Sequence, residues 1–204
     1  YLYSNIPKNK FSMVEFHVAR FKIKSLKTFH LQNIYIDLHD YLIEEDYAPS
    51  EKDYDYPEKF MWENRTQKDG REIWIWFRPY RILAANKFFK RSFRINFHAR
   101  KIKDVEIMHE GKKLNVNKGE VEIYVFAYLD LDPEGKWMKN PFTKAMWDLF
   151  IKRIYHKSLE AHRREMLADS YKLQEHLKNL LGQQMFSPPR KTFRPTYAFG
   201  ERTF

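Results

Sequence analysis

The chain contains no cysteine, and this absence excludes several kinds of chemistry at once. Disulfides, cysteine-based zinc sites, iron–sulfur clusters and thiol catalysis all require that residue. Glycine is also scarce, at 6 of 204 residues, and no Gly-x-Gly-x-x-Gly or Walker loop for a phosphate can be found. The Gly-x-Ser-x-Gly and His-Glu-x-x-His patterns are missing too. The sequence therefore names no reaction, and we expect a non-enzymatic protein without a cofactor.

Long apolar runs are missing as well. No segment approaches the ~20 consecutive apolar residues that a membrane-spanning helix needs. The first residues do not show the charged region followed by an apolar region that marks a signal peptide. We therefore expect an intracellular or particle-associated protein with no membrane span.

Aromatic and basic residues are abundant. Hydrophobic residues make up 43% of the chain and aromatic residues 17%, which excludes disorder over most of the length. The formal net charge of +10 favours an anionic partner, such as nucleic acid, an acidic protein or a membrane surface. The alternative is a basic protein whose charges are simply solvated.

The first quarter of the chain predicts a strand, a short helix and a loop. Phe11–Leu31 is mainly extended, and the parity of its apolar residues switches midway, which predicts a bulge. Asn33 is a plausible N-cap for a helix over 34–45. The acidic, tyrosine-rich segment Glu44–Glu58 follows as a predicted loop.

A series of strands fills the middle of the chain. Lys59–Thr66 and Arg71–Tyr80 flank Asp69-Gly70, a strong hairpin signal. Further strands are predicted over Phe88–His98, over a smaller hairpin at 104–108 and 113–116, and over Glu120–Leu131. Strands joined by short turns pair in an antiparallel meander, because parallel pairs would need crossover connections.

The last third predicts a long helix and an arm. An amphipathic stretch starts at Asn140-Pro141 and continues to about Leu181, although a break near 161–168 that folds it into a hairpin is an alternative. The predicted fold class is therefore α+β: a meander sheet packed by a short N-terminal helix and a long C-terminal helix, with an extended C-terminal arm. We expect residues 1–154 to form the core domain, 155–182 a projecting distal helix, and 183–204 the arm.

The segment from residue 87 to residue 103 is the strongest signal for an anionic partner, because it combines many cations with aromatics and has no acidic residue. The candidate contacts to nucleic acid, together with a basic patch of the long helix, are Lys90, Arg91, Arg94, Arg100, Lys101, Lys103, Arg163 and Arg164. Phe93, Ile95 and Phe97 share one face and suit a core. The alternative is therefore a solvated or protein-facing basic strand.

The arm is the second partner signal. Its prolines favour an extended chain, and it is too aromatic to serve only for solvation. The candidate contacts to a protein partner are Phe186, Phe193, Arg194, Tyr197, Phe199 and Phe204. Such an arm fits a groove on a neighbouring subunit or on its own domain.

A metal site is a distant third hypothesis. Asp130 and Asp132, with Glu134 nearby, could bind Mg²⁺ or Mn²⁺ through oxygen ligands. The same Asp-Pro-Glu-Gly sequence is also an ordinary turn, so we predict no metal ligand with it.

Part of the chain resembles a group of conserved proteins from archaea with small genomes. The residues that carry this resemblance are the Gly-Lys-Lys turn at 111–113, the strand ending Tyr-Leu-Asp-Leu-Asp at 132, and Trp137-x-Lys-Asn-Pro-Phe142. The resemblance covers about a quarter of the chain at most. It implies the order strand, loop and long helix and an archaeal or archaeal-virus source, and it implies no activity.

These observations favour a structural subunit of a larger assembly, either a virion or filament component or a ribonucleoprotein component. Docking would use the distal helix and the arm. The alternative is a protein that binds RNA or single-stranded DNA through the basic strand.

Overall fold

A computed structural model describes residues 14–47, 57–66, 70–82, 87–109, 112–139 and 141–182. The predicted α+β class is confirmed: the described residues form a seven-stranded antiparallel sheet, with one helix between its second and third strands and the other helices after its last strand. The strands are β1 (Val14–Ser25), β2 (Thr28–Phe29), β3 (Glu58–Thr66), β4 (Gly70–Phe77), β5 (Tyr80–Ile82), β6 (Phe89–His109) and β7 (Lys112–Leu131). The helices are α1 (Leu31–Glu44), α2 (Lys136–Lys139), α3 (Pro141–Leu149) and α4 (His156–Leu180), with a π-helical turn at Phe150–Ile154. The arm at 183–204 lies outside the described residues.

The sheet is a meander that the first strand completes. Its order is β1-β7-β6-β4-β3, so β3, β4, β6 and β7 follow one another and β1 returns to lie beside β7. The short strands β2 and β5 pair with β7 and β6. The two outer strands, β1 and β3, are therefore the edges of the sheet.

Local sequence signals place the first hairpin and the bulge of β1. The predicted hairpin forms between β3 and β4, where Thr66 pairs with Gly70. Gly70 has a positive φ of 83°, and a Cβ there would lie 2.6 Å from the Ile102 carbonyl oxygen, so no other residue fits. In β1 the register shifts between His17 and Ala19, which confirms the predicted bulge.

The central hairpin is longer than the sequence indicates. The two predicted strands and the smaller hairpin at 104–116 merge into β6 and β7, which pair from Phe89–Leu131 to His109–Lys112. A bulge between Arg100 and Lys103, with Lys101 at a φ of 54°, joins the two parts. Gly119 lies beside this bulge, and a Cβ on it would come within 2.9 Å of the Arg100 carbonyl oxygen.

Helix α1 starts earlier than predicted. It begins at Leu31, and the side chain of His30 accepts the hydrogen bond from the Asn33 backbone N–H at 3.4 Å. The predicted N-cap at Asn33 is therefore wrong, because the first turn already contains that residue. Ile34, Leu38 and Leu42 form the buried stripe of this helix.

The long helix is interrupted, but not at 161–168. The Tyr155 N–H donates to the Phe150 carbonyl oxygen at 2.9 Å, five residues back, and this π-type bond ends the regular helix. The segment therefore consists of α3 and α4 instead of one rod.

The two halves of the predicted long helix have the opposite roles to those expected. Met166, Leu173, Leu177 and Leu181 of the distal half are buried in the main core with α1 and one face of the sheet. The prediction that residues 155–182 project is wrong, because this stripe has the sheet as its partner. The proximal half is the exposed one: Phe142, Met146, Leu149 and Ile154 all lie at the surface.

A smaller cluster holds the proximal half in place. Phe89, Leu129 and Leu131 are buried at the end of the sheet, and Trp147 and Tyr155 are packed against them. This contact orients α3 and the π-helical turn across the end of β6 and β7. One side of α3 therefore contacts the sheet while the other remains exposed.

Candidate functional site

The sheet has a face that no described helix covers, and we call it the open face. Residues of β4, β6 and β7 alternate, so Ile75, Ile95 and Ile123 point to the helices and enter the core. Their neighbours Trp76, Arg94, Asn96 and Tyr124 point the other way. Within the described residues, the open face is thus built from aromatic and charged side chains.

Cations lie over aromatic rings on this face. The four contacts, measured to the ring centroid, are Arg94 over Tyr128 at 4.2 Å, Lys22 over Tyr124 at 4.7 Å, Lys90 over Tyr80 at 4.7 Å and Arg78 over Trp76 at 5.5 Å. Such contacts contribute ~0.5–1 kcal/mol each at exposed sites. Their residues lie in or next to five strands, β1, β4, β5, β6 and β7, so the tertiary fold and not one motif assembles them.

Carboxylates offset part of this positive charge. Glu122 is buried and lies 3.0 Å from Lys22, and both it and Glu120 lie 3.2 Å from Arg100. Burial favours the protonated Glu122, but hydrogen bonds from Lys22 and Tyr124 outweigh this and lower the pKa of Glu122 to about 2. The centre of the open face is therefore a network of charge pairs and not a uniformly positive surface.

A stacked pair extends the network toward β3. The rings of Trp74 and His98 stack at 3.5 Å, and His98 Nε2 lies 2.7 Å from a Glu72 carboxylate oxygen. Next to them, the rings of Phe60 and Trp76 are 4.6 Å apart. The aromatic character of the face therefore increases toward the β3 edge.

Strand β3 exposes three consecutive large apolar side chains. Phe60, Met61 and Trp62 are 42%, 62% and 44% exposed, respectively. Phe60 and Trp62 are opposite Trp76 and Trp74 and lie on the open face, while Met61 is opposite the buried Ile75 and lies on the helix side. On the outer side of β3, no described strand pairs with it. The strand thus presents apolar side chains on both faces of an unpaired edge.

Beyond the sheet, β6 and β7 continue as a two-stranded ribbon. The last pairing of β4 with β6 is at Ile102, and the last pairing of β2 with β7 is at Asn117. Five further cross-strand pairs, from Val105–Val116 to His109–Lys112, have no additional described strand beside them. At ~3.4 Å per residue, this ribbon extends for about 17 Å.

The residues predicted to contact nucleic acid do not form one surface. Lys90, Arg94 and Arg100 lie on the open face by strand parity, and Lys101 and Lys103 are exposed at the bulge where the ribbon begins. Arg163 and Arg164 are exposed on α4, which packs on the opposite side of the sheet. The predicted set is therefore divided between two sides of the molecule.

Arg91 is not available to a partner, and its inclusion in the predicted set is wrong. Its side chain is 5% exposed, forms an ion pair with Glu165 and lies 3.4 Å from an Asp169 oxygen. The Tyr47 hydroxyl donates to the same Asp169 oxygen at 2.8 Å. Arg91 shares the parity of Phe89 and Phe93, so it points toward α4 and attaches that helix to the sheet.

His162 completes this buried group. Its Nδ1 lies 3.2 Å from an Arg91 guanidinium nitrogen. Burial, and after it the positive charge of Arg91, lowers the pKa of His162 below its ordinary value. Neutral His162 is therefore the form that the folded state prefers.

The acidic residues of the metal hypothesis have structural partners. Asp132 accepts hydrogen bonds from the backbone N–H groups of Lys136 and Trp137, at 2.9 and 2.8 Å, and so caps α2. Asp130 is buried and accepts a hydrogen bond from the Ser92 hydroxyl at 3.1 Å. Among the described residues, no group of three or more potential ligands could hold a metal ion.

The residues predicted to contact a protein partner, Phe186, Phe193, Arg194, Tyr197, Phe199 and Phe204, lie outside the described residues. They keep the status of a prediction. In the described part of the chain, no helix is both long and apolar enough to cross a membrane.

Comparisons with known proteins add no further constraint. No protein-family model, no curated protein and no solved structure matches this chain. The open face, the β3 edge and the ribbon are therefore the features from which a function can be inferred.

Proposed function

We propose that this chain is a non-enzymatic structural subunit of a larger assembly, and that β3 is one of its contact edges. The observation that supports this most strongly is the exposure of Phe60, Met61 and Trp62 on both faces of an edge strand. An edge strand presents a row of backbone donors and acceptors that can pair with another chain. Apolar side chains beside such a row add area for a partner to cover.

The opposite edge of the sheet provides an internal comparison. On β1, Arg20, Lys22 and Lys24 alternate along the strand, and a bulge interrupts it between His17 and Ala19. Charged side chains and bulges are the usual devices that prevent an edge from pairing with other chains. β3 has its bulge only at the start, at Lys59, and its middle is apolar. The two edges therefore differ in the way that distinguishes a protected edge from a contact edge.

The ribbon supports the same proposal. An isolated two-stranded ribbon is only marginally stable in water. Here five residue pairs continue beyond the rest of the described sheet. A ribbon of this length is suited to reach a neighbouring subunit. Docking of the arm at 183–204 is a second predicted contact.

Measuring the mass of the native particle tests the proposal. We expect the full chain to be larger than its 25.1 kDa monomer by native mass spectrometry and light scattering. Met61→Lys should shift the population toward monomer, because it places a charge in the middle of the apolar edge. Leu26→Lys is the matched control, since Leu26 is exposed in a turn away from β3 at 67%, close to the 62% of Met61. A wild-type chain that stays monomeric at its highest soluble concentration refutes the proposal.

The four cation–aromatic contacts favour a second candidate function, binding of single-stranded nucleic acid on the open face. Arginine and lysine can neutralise phosphates, and exposed rings such as Trp76 can stack on unpaired bases. The acidic Glu120 and Glu122 weaken this candidate, because they already pair with several of the cations.

Fluorescence anisotropy of a labelled single strand tests this second candidate. We expect affinity to fall with salt, with a slope of about −0.7 per neutralised phosphate on a log–log plot. Arg94→Gln should weaken binding, whereas Arg163→Gln, on the helix side, should not. No binding at low salt, or equal effects of the two substitutions, would exclude the open face as the site.

A further inference from the structure

The sequence of β3 determines how two copies of this strand could pair with each other. In an antiparallel pair of strands, two directly opposed residues either point their backbone N–H and C=O groups at each other or both point them away from each other. From Phe60 to Thr66, past the bulge at Lys59, alternate residues of β3 direct those groups toward β4, so opposed residues of two copies must both be odd-numbered or both be even-numbered. One residue of β3 must therefore lie directly opposite the same residue of the second copy, and the two-fold axis passes between these two residues. Within the apolar segment and its neighbours, the axis has four choices: Phe60, Met61, Trp62 and Glu63.

An axis at Met61 places each exposed apolar residue of β3 opposite an apolar residue of the second copy. Phe60 is then opposite Trp62 of the second copy, and this pair occurs twice because of the symmetry, while Met61 faces Met61 of the second copy. Aromatic pairs are among the cross-strand combinations that stabilise a sheet.

The other three positions of the axis are poorer. An axis at Trp62 opposes Met61 to Glu63, so an apolar side chain meets a charge. An axis at Glu63 brings two carboxylates face to face. An axis at Phe60 leaves Met61 and Trp62 opposite the irregular segment at the Lys59 bulge. Only the axis at Met61 avoids these mismatches.

We infer that β3 pairs with β3 of a second copy of this chain, antiparallel and with Met61 opposite Met61. This inference rests on the proposed function, and it names the partner of the same edge. The apolar pattern favours a second copy, because Phe60, Met61 and Trp62 are self-complementary about this axis and each lies opposite an exposed apolar residue of the same segment. Opposed residues point to the same face, so the sheet and its open face continue from one copy into the other.

Because the chain has no cysteine, a single introduced thiol is its only thiol, and disulfide formation can report the register. Directly opposed residues have Cα atoms ~4.5–5.5 Å apart, within the range of about 4.4–6.8 Å that a disulfide requires. Diagonal neighbours are ~7–8 Å apart and fall outside it. Under mild oxidation we expect Met61→Cys to form a covalent dimer on a non-reducing gel. Trp62→Cys should remain near the background set by Leu26→Cys.

A mixture of two cysteine variants provides a second test of the register. Phe60→Cys and Trp62→Cys should cross-link with each other, in different molecules, more efficiently than either does with itself. This pair keeps the inference testable even if Met61→Cys reduces stability, and thermal unfolding of each variant checks its fold.

Several outcomes would overturn the inference. Self-linking that is strongest at Trp62→Cys would show that the register is wrong. Oligomers by native mass without linking at Met61→Cys or in the mixed sample would show that β3 does not pair with itself, while the proposed function stands. A photo-cross-linker at position 61 that captures residues 183–204 would assign the edge to the arm. A monomeric wild-type chain would remove both the inference and the proposed function.

Discussion

Helix α4 should be part of the stable core, and a pair of leucine substitutions tests this directly. Leu173 on α4 is 0% exposed and packs among residues of α1 and the sheet, whereas Leu149 on α3 is 49% exposed. We therefore expect Leu173→Ala to lower the free energy of unfolding by about 3–4 kcal/mol, within the range for leucine-to-alanine changes in packed cores. Leu149→Ala should cost about 1 kcal/mol, because only about half of its side chain leaves water on folding.

Urea unfolding followed by tryptophan fluorescence and circular dichroism measures both free energies. The melting temperature of Leu173→Ala should fall by about 10 °C, since 1 kcal/mol corresponds to ~2–4 °C for a domain of this size. Tyr171→Ala is the control on the same helix, because Tyr171 is exposed and its loss creates no cavity. The reasoning fails if Leu173→Ala costs less than Leu149→Ala, which would mean that α4 does not pack on the sheet in solution.

Three further substitutions alter the pH dependence of stability or the packing at the bulge. Burial raises the pKa of Asp130, so its charged form opposes folding as pH rises; Asp130→Asn should stabilise the protein at pH 7 and lose this advantage near pH 3, measured as the urea midpoint. The pKa of Glu122 is lowered to about 2, so its stabilisation is present above pH ~4.5 and lost as pH falls toward 2; Glu122→Gln should flatten that acid limb. Gly119→Ala should lower the melting temperature, because the added Cβ would lie 2.9 Å from a backbone oxygen; an unchanged value would contradict the close approach.

Partly buried His162 provides a fourth test near neutral pH. Its pKa is lowered in the folded state, so the unfolded chain binds the proton more readily and stability should decline as pH drops below ~6.5. His162→Gln should reduce this slope between pH 5 and 7, and an unchanged slope would show that His162 is not its source.

Local sequence patterns were sufficient to predict the helices and strands and to predict which strands are neighbours in most of the sheet. Alternation of apolar residues predicted β4, β6 and β7, and Asp69-Gly70 predicted the β3–β4 hairpin. These features depend on residues within about ten positions of one another, where the alternation of apolar and polar residues and the type of turn residue decide the structure. The pairing of β1 with β7 has no such local signal.

The role of α4 was mispredicted because apolar content was used as a measure of burial. The buried stripe of this helix is narrow and includes Ser170, whose hydroxyl donates to the Met166 carbonyl oxygen at 2.7 Å. The α3 segment has more large apolar residues but less of the sheet to cover. A signal for Arg91 was available, however: it shares its parity with the predicted core residues Phe93 and Ile95.

The open face could not be derived in advance because its contacts join distant parts of the chain. Arg94 pairs with Glu15, which lies 79 residues earlier in the chain. Lys22 contacts Tyr124 and Glu122, which lie about 100 residues later. Side chains of this kind are located only when the order of the strands is known.

The position of β1 also determines when the protein can fold. Val14 pairs with Leu131, which lies 131 − 14 = 117 residues later in the chain. At ~5–20 residues per second, a ribosome needs roughly 6–23 s to synthesise that interval. During this time the β3–β4 hairpin has all of its own residues, but β1 has no strand to pair with. Closure of the sheet, and the docking of α4 that follows, are therefore late events that depend on contacts of high sequence separation, and folding should be slow for a protein of this length.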